Sequence, residues 1–396
     1  MIIQPAIRTQ TVSEYYFAAK LREIEELRLQ GKKVLNLGIG SPDMMPHGDV
    51  LEELALQSKA DGSNGYQSYT GLPALREAFA GWYKKYFGID LNPAGEILPL
   101  MGSKEGIMHI SMAFLNPGDG VLVPNPGYPA YDAVTRLVGA RVVEYDLKPE
   151  NDWLPDFEEL ENIDLKGVKL MWVNYPNMPS GAMANAAFFG RLVSFAREKK
   201  ILICNDNPYS FILNDNPLSI FSAEGAREVA LELNSMSKSH NMAGFRMGMV
   251  AGKADYLKSI LTVKSNMDSG MYKPIQLAAV KALQSPPEWY QSINAEYKKR
   301  RRIAGSIFDK LEVAYDPGQS GMFLWGRIPE HFAGAMSFSD HILKNYLLFI
   351  TPGDIFGSNG KRYIRISLCS NQEIFSEALH RISEGNINLK QSGLCG

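Results

Sequence analysis

The sequence predicts an α/β protein: a mostly parallel sheet with helices on both faces, joined to a smaller unit of α+β character. Three observations carry that prediction. Between residues 97 and 251, short apolar runs alternate with helix-length segments, which is the rhythm of βα units. The run 168–173 is apolar and contains β-branched residues, as expected of a central, buried strand. The chain has 396 residues, enough for two domains and more than one core, and the rhythm lapses after a long charged segment that starts at Pro286-Pro287.

Taken in order, Ser13 can cap a helix over 14–30 that Gly31 stops. Its many charges require one wet face. Residues 33–37 read as a short strand running into Gly38-Ile39-Gly40-Ser41-Pro42-Asp43. Two glycines there either let the backbone approach a ligand or simply make a turn. Tyr66-Gln67-Ser68-Tyr69-Thr70-Gly71 is a polar loop whose tyrosines suit a surface or an interface. A helix over 75–87 follows. A strand at 97–101 turns at Gly102-Ser103-Lys104-Glu105-Gly106 into a helix over 107–114. Such a turn offers free N–H groups to a phosphate, or is merely tight.

The apolar strand 121–123 ends at Pro124-Asn125-Pro126-Gly127-Tyr128-Pro129-Ala130-Tyr131, where three prolines exclude further strand or helix. Tyr128 either packs into the core or shows its ring face to a flat ligand. After strands at 141–145 and 168–173, the chain breaks at Asn174-Tyr175-Pro176-Asn177-Met178-Pro179-Ser180-Gly181. The helix over 184–199 then puts Phe188, Leu192 and Phe195 on one face. The strand 201–204 delivers Asn205-Asp206-Asn207-Pro208-Tyr209. An Asp at a strand's carboxyl end lies where open α/β sheets bind ligands, or it caps a turn. Strands follow at 229–233 and 246–251, and helices from 258, over 274–283 and over 286–311. The remainder has strands at 322–325 and 363–368 and a helix at 338–345. Arg365 and Ser367 face away from Ile364 and Ile366. No disordered tail is expected beyond the last few residues.

Hydrophobic residues at 45% and charged residues at 21% are ordinary for a soluble globular protein. A net charge of −2 gives no attraction to nucleic acid or to an anionic membrane. No apolar run reaches the length of a membrane span, and the start of the chain lacks the layout of a signal peptide. Three cysteines, Cys204, Cys369 and Cys395, form neither a disulfide framework nor a metal-ligand spacing. A reducing cytoplasm is the expected compartment, and no metal site is expected.

The chemistry concentrates in Ser235-Met236-Ser237-Lys238-Ser239-His240-Asn241-Met242-Ala243-Gly244-Phe245-Arg246. A lysine in a partly dry pocket loses some preference for its charged form and can form a Schiff base with a carbonyl. The hydroxyls of Ser235 and Ser237, with Arg246, could hold a phosphate in the same place. An amine for an aldehyde beside a phosphate cup describes a pyridoxal 5'-phosphate site. A solvated surface lysine is the plain alternative. Ser235-x-x-Lys238 also fits penicillin-recognising acyl enzymes, but their Ser-Asp-Asn and Lys-Thr-Gly elements do not occur in the chain.

Together and in this order, Gly102-Ser103-Lys104-Glu105-Gly106-Ile107, Pro126-Gly127-Tyr128-Pro129, Asn174-Tyr175-Pro176-Asn177, Ser235-Met236-Ser237-Lys238 and Asp268-Ser269-Gly270 resemble the class I/II aminotransferases of fold type I, which use pyridoxal phosphate. The resemblance runs from Gly38 to Leu368 and is nearest in look to the LL-diaminopimelate aminotransferase group. It implies a seven-stranded type of sheet in a large domain over 46–284, with a small domain from 1–45 and 285–396. Lys238 would carry the cofactor and move the substrate proton. Asp206 would pair with the pyridine nitrogen, Tyr209 would donate to the ring's 3' oxygen, and Tyr128 would stack on the ring. Ser103, Lys104, Ser235, Ser237 and Arg246 would hold the phosphate. Tyr66 would reach the phosphate of a partner subunit, making a homodimer the working unit. Arg365 would grip the substrate carboxylate, Gly40 would approach it through its backbone, and Ile39, Tyr131 and Phe356 would line the pocket.

The implied reaction is ping-pong transfer of an amino group from an L-amino acid to a 2-oxo acid. One residue departs from the pattern. Where the family has Asn before Pro-Thr-Gly, this chain has Met178, so either Asn177 shifts in or Tyr209 alone serves the 3' oxygen. A carbon–sulfur β-lyase of the same fold and a non-catalytic cofactor-binding module remain alternatives. No second carboxylate-binding arginine is identifiable, and Lys264, Lys273 and His240 are unplaced candidates for that task.

Overall fold

The computed structural model describes residues 2–385. Its centre is a seven-stranded sheet in the order Ile97–Leu100, Gly248–Gly252, Ala230–Ser235, Leu202–Asp206, Val168–Val173, Gly120–Asn125, Arg141–Asp146. Gly248–Gly252 is antiparallel to both neighbours, and the pairings from Ala230–Ser235 to Arg141–Asp146 are all parallel. Six strands therefore share one direction, and their carboxyl ends lie along one edge.

Both faces of this sheet are covered. Leu170 and Trp172 join one apolar cluster while Met171 and Val173 join another, so the alternation of a strand feeds two cores. The helices are started by recognisable residues. Asn185 accepts the Phe188 N–H at 2.8 Å and caps Ala186–Lys199. Proline opens Pro73–Phe87, Pro129–Leu137 and Pro287–Lys310, where a missing N–H costs nothing.

A second core packs Pro287–Lys310 and Gln372–Ser383 against a four-stranded antiparallel sheet, Thr351–Pro352, Tyr363–Ser367, Phe323–Arg327, Ala314–Tyr315. The chain's beginning joins this part through the parallel pair Leu35–Asn36 and Leu348–Phe349.

Several expectations shift. The first helix runs Tyr16–Leu29 and has no side-chain cap, so Ser13 does not start it. The proline-rich stretch at 124–131 does not exclude regular structure: the strand continues to Asn125 and a helix begins at Pro129, because proline fits a first helical turn. The helix expected from 107 begins at Ser103, which puts the Gly102 turn directly against its first N–H groups. Helices Gly48–Ser58 and Gln372–Ser383 were not anticipated. The final residues and Cys395 lie outside the described part of the chain.

Candidate active site

A cavity of about 490 Å³ opens at the carboxyl edge of the large sheet, against the small antiparallel sheet and the first helix. It is lined by Ile39, Gly40, Ser103, Lys104, Tyr128, Asp206, Tyr209, Ser235, Ser237, Lys238, Arg246 and Arg365. With Tyr131 and Phe356, fourteen of the sixteen sequence-expected residues thus meet in one place, although they come from segments more than three hundred residues apart.

Lys238 sits on a four-residue helix directly after Ala230–Ser235. Ser235 ends the strand and accepts the Ser237 N–H at 3.2 Å, which turns the chain so that Lys238 enters the cavity. Its Nζ donates to the Gly40 carbonyl at 2.5 Å. Burial is the main cause that lowers the Lys238 pKa, so the amine is more readily available as a neutral base.

Asp206 ends its strand fully inside the protein. Burial pushes its carboxyl up to about 6, partly opposed by the hydroxyl of Tyr131, which donates to Oδ2 at 2.9 Å, and by the nearby hydroxyl of Ser103. Oδ1 is buried and carries no hydrogen bond. A carboxylate with one vacant, desolvated oxygen suits a cationic N–H donor.

Beside it lies a phosphate-sized cup. Gly102 precedes Ser103–Phe114 with φ +84°, and an added side chain there would occupy the place of the Arg246 guanidinium. Arg246 donates to Ser237 Oγ at 3.4 Å and to the Ala243 carbonyl at 2.9 Å. The free N–H groups of the helix start, two serine hydroxyls and two cations converge here.

Arg365 stands at the opposite end, buried on Tyr363–Ser367. It donates to the Gly38 carbonyl at 2.9 Å and to the Met178 sulfur at 3.1 Å. The rings of Phe323, Phe356 and Phe17 lie 3.9, 4.7 and 5.6 Å from its guanidinium carbon. Among the described residues no carboxylate pairs with it. Burial lowers its pKa to about 10, and Nε has no partner. A buried guanidinium kept without a counterion is costly unless an anion from outside completes it.

The glycine turn serves both cations. Asn36 Oδ1 accepts the N–H groups of Gly38 and Ile39 and folds the turn. Side chains at Gly38 or Gly40 would collide with the rings of Phe349 and Phe323. Only glycine lets these carbonyls reach Arg365 and Lys238.

Two expected residues lie elsewhere. Asn177 is buried outside the cavity, its carboxamide engaged by Ser180 and the Asn174 carbonyl. Asn174 lines the cavity instead, donating to the Asp206 carbonyl at 2.5 Å and accepting the Met178 N–H at 2.8 Å. Tyr66 is 93% exposed and does not touch this chain's cavity. Tyr131 and Phe356 do line it. The unplaced candidates do not: Lys264 is buried against Asp268, and His240 is held between Ser239 and Tyr290, its pKa lowered to about 3 by burial. Lys273 opens its helix away from the lining. Tyr15, Phe17 and Leu21 were missed, and the only signal was the run Tyr15-Tyr16-Phe17 at the start of a charged helix.

Glu105, His109 and Asp268 bring possible metal-ligating atoms within 4.8 Å of one another. The Lys264 ammonium already rests on Asp268 at 2.5 Å and supplies positive charge there.

An unpartnered carboxylate oxygen, a recessed lysine, a phosphate cup at a helix start and an unpaired arginine together fit pyridoxal 5'-phosphate and an amino-acid carboxylate. The class I and II aminotransferase family profile matches residues 32–382. The chain is 37% identical over 378 residues to an LL-diaminopimelate aminotransferase of Dehalococcoides mccartyi, covering 95% of this chain and 97% of that one. It is 38% identical over 381 residues to one of Oleidesulfovibrio alaskensis, covering 96% and 98%. Substrate-bound BacF of Bacillus subtilis superposes with a TM-score of 0.93 at 35% identity, covering 97% and 98%. The chain belongs to the class I and II aminotransferases. It is an enzyme that depends on pyridoxal phosphate and transfers an amino group between an L-amino acid and a 2-oxo acid. No described helix is long and apolar enough to cross a membrane.

Proposed function

We propose that this cavity is the transaminating centre and that its residues divide the work as follows. The cofactor, when bound, supplies the electron sink that makes the α-proton of an amino acid acidic. Lys238 Nζ takes that proton and returns one, aided by a burial that favours its neutral form. Asp206 holds the ring nitrogen through the vacant Oδ1, Tyr209 serves the 3' oxygen, and Tyr128 covers the ring. Ser103, Lys104, Ser235, Ser237 and Arg246 hold the phosphate. Arg365 binds the α-carboxylate. The observation that carries this reading is the pairing of opposite vacancies, Asp206 Oδ1 without a donor and Arg365 without a carboxylate, in one cavity with Lys238.

The reading extends to the assembly. The exposure of Tyr66, with Tyr69, Met101, Met267 and Tyr272 also exposed, supports a homodimer in which Tyr66 completes the partner's cup. The separate cores support a large domain over 46–284 and a small one from 1–45 and 285–396. Buried free Cys204 and Cys369 are compatible with a reducing cytoplasm.

Absorbance spectra of the holoenzyme test the reading. The visible band of the bound cofactor should bleach with an L-amino acid and return with a 2-oxo acid. Release of pyruvate and ammonia from a cysteine-like substrate, with no such cycle, would establish a lyase instead. Lys238→Ala should remove the cycle altogether.

A further inference from the structure

We propose that the amino donor is an L-amino acid with a large apolar side chain, aromatic or branched aliphatic, and that Phe17 and Leu21 on the first helix form the wall that selects it. This inference rests on the reading above, in which Arg365 fixes the α-carboxylate and Lys238 works at the α-carbon. With those two points set, the side chain must lie against what surrounds them. Three phenyl rings stand within 5.6 Å of the Arg365 guanidinium carbon. Beyond them the lining continues as Tyr15, Ala18, Leu21 and Ile39.

Charge points the same way. Asp206 is the only carboxylate among the described lining residues, and it is deep and bonded to Tyr131. A donor with a second ammonium group would find no carboxylate for it among the described residues of the outer lining. Glu14, Asp132, Glu144 and Asp354 line an adjoining hollow that shares Tyr15, Phe17, Pro129 and Phe356 with the cavity. Tyr15, Phe17 and Phe356 line both spaces and stand as the partition between them. Lys104, the remaining cation of the outer lining, lies 4.8 Å from the centre of the Tyr15 ring, on the side of the phosphate cup. The wall thus rewards apolar area, and its described residues add no carboxylate to hold a distal ammonium.

The test is the first half-reaction of the holoenzyme, read as bleaching of the visible cofactor band. Four donors are compared: L-phenylalanine, L-leucine, L-alanine and LL-2,6-diaminoheptanedioate. Phenylalanine and leucine should exceed alanine and the diamino diacid by about tenfold or more in apparent second-order rate constant. Phe17→Ala should lower the phenylalanine constant about tenfold more than the alanine constant, a split that a general loss of structure does not produce. Leu21 is 45% exposed, so Leu21→Glu is tolerated by the fold and should show the same split. A diamino diacid that matches or exceeds phenylalanine overturns the substrate class while leaving the transaminase reading intact. Equal losses for phenylalanine and alanine in both variants overturn the role of the wall. Failure of phenylalanine and leucine to bleach a band that another L-amino acid bleaches overturns this inference alone, and a band that no L-amino acid bleaches overturns the reading beneath it as well.

Discussion

Asp206 is held in a state that suits its ligand better than its own fold. Burial moves its carboxyl from 3.8 to about 6, which corresponds to about 3 kcal/mol at roughly 1.4 kcal/mol per pKa unit. Between about pH 4 and pH 6 the folded chain keeps a proton that the unfolded chain has lost. This stabilisation is complete below about pH 4 and is lost as the pH rises through about 6. Asp206→Asn should therefore make the cofactor-free protein more resistant to heat than the parent at pH 7, with the advantage shrinking at pH 4. Glu232, also raised by burial, contributes equally to both proteins and drops out of the comparison. The same variant should cost about 10²- to 10³-fold in transamination, because a neutral amide cannot match the charge on the ring nitrogen. Thermal unfolding at the two pH values and steady-state rates check the two halves.

At the scale of elements, the site depends on how the turn at Gly102 meets the Arg246 side chain. Gly102→Ala places a side chain at φ +84° and in the space of the guanidinium. A backbone at φ +84° and ψ 157° is open almost only to glycine and alone costs another residue about 1–3 kcal/mol. Cofactor affinity should fall about tenfold or more, measured by titrating the cofactor into the apoprotein. Gly244→Ala, with no atom within 4 Å, should leave it unchanged. Much of this element logic was legible beforehand. Most of the sheet strands are apolar runs, Asp206 and Ser235 end theirs, and Lys238 follows one. What escaped had weak local signals. Gly48–Ser58 buries only Val50. Gln372–Ser383 buries an arginine among its apolar residues, which blurs its stripe. Tyr15 and Phe17 matter only because a distant strand brings Arg365 beneath them, and Asn174 looked like one more loop residue beside Asn177.

At the scale of the whole molecule, the exposed Tyr66 makes a claim about two chains. Protein carrying Lys238→Ala and protein carrying Tyr66→Ala should each be impaired alone. When the two are unfolded and refolded together, each hybrid dimer regains one site with an intact lysine and an intact tyrosine from opposite subunits. Activity above the sum of the separate proteins is the expected result. No recovery in verified hybrids would mean that Tyr66 does not serve the neighbour. The domain boundary and this exchange could be anticipated only through family resemblance, because one chain's pattern of apolar residues says nothing about what covers an exposed tyrosine.

The contact between Arg365 and the Met178 thioether also gives the enzyme a specific weakness toward oxidants. A thioether is a feeble acceptor and gives way to an incoming carboxylate, whereas a sulfoxide oxygen is a strong one and competes for the same guanidinium. Mild peroxide should raise KM for the amino acid in the parent protein, methionine sulfoxide reductase should restore it, and Met178→Leu should lack this reversible component. The chain carries 17 methionines, yet among the described residues this one touches the Arg365 guanidinium. The affinity of Arg365 for a carboxylate is thereby expected to follow the oxidation state of the Met178 sulfur.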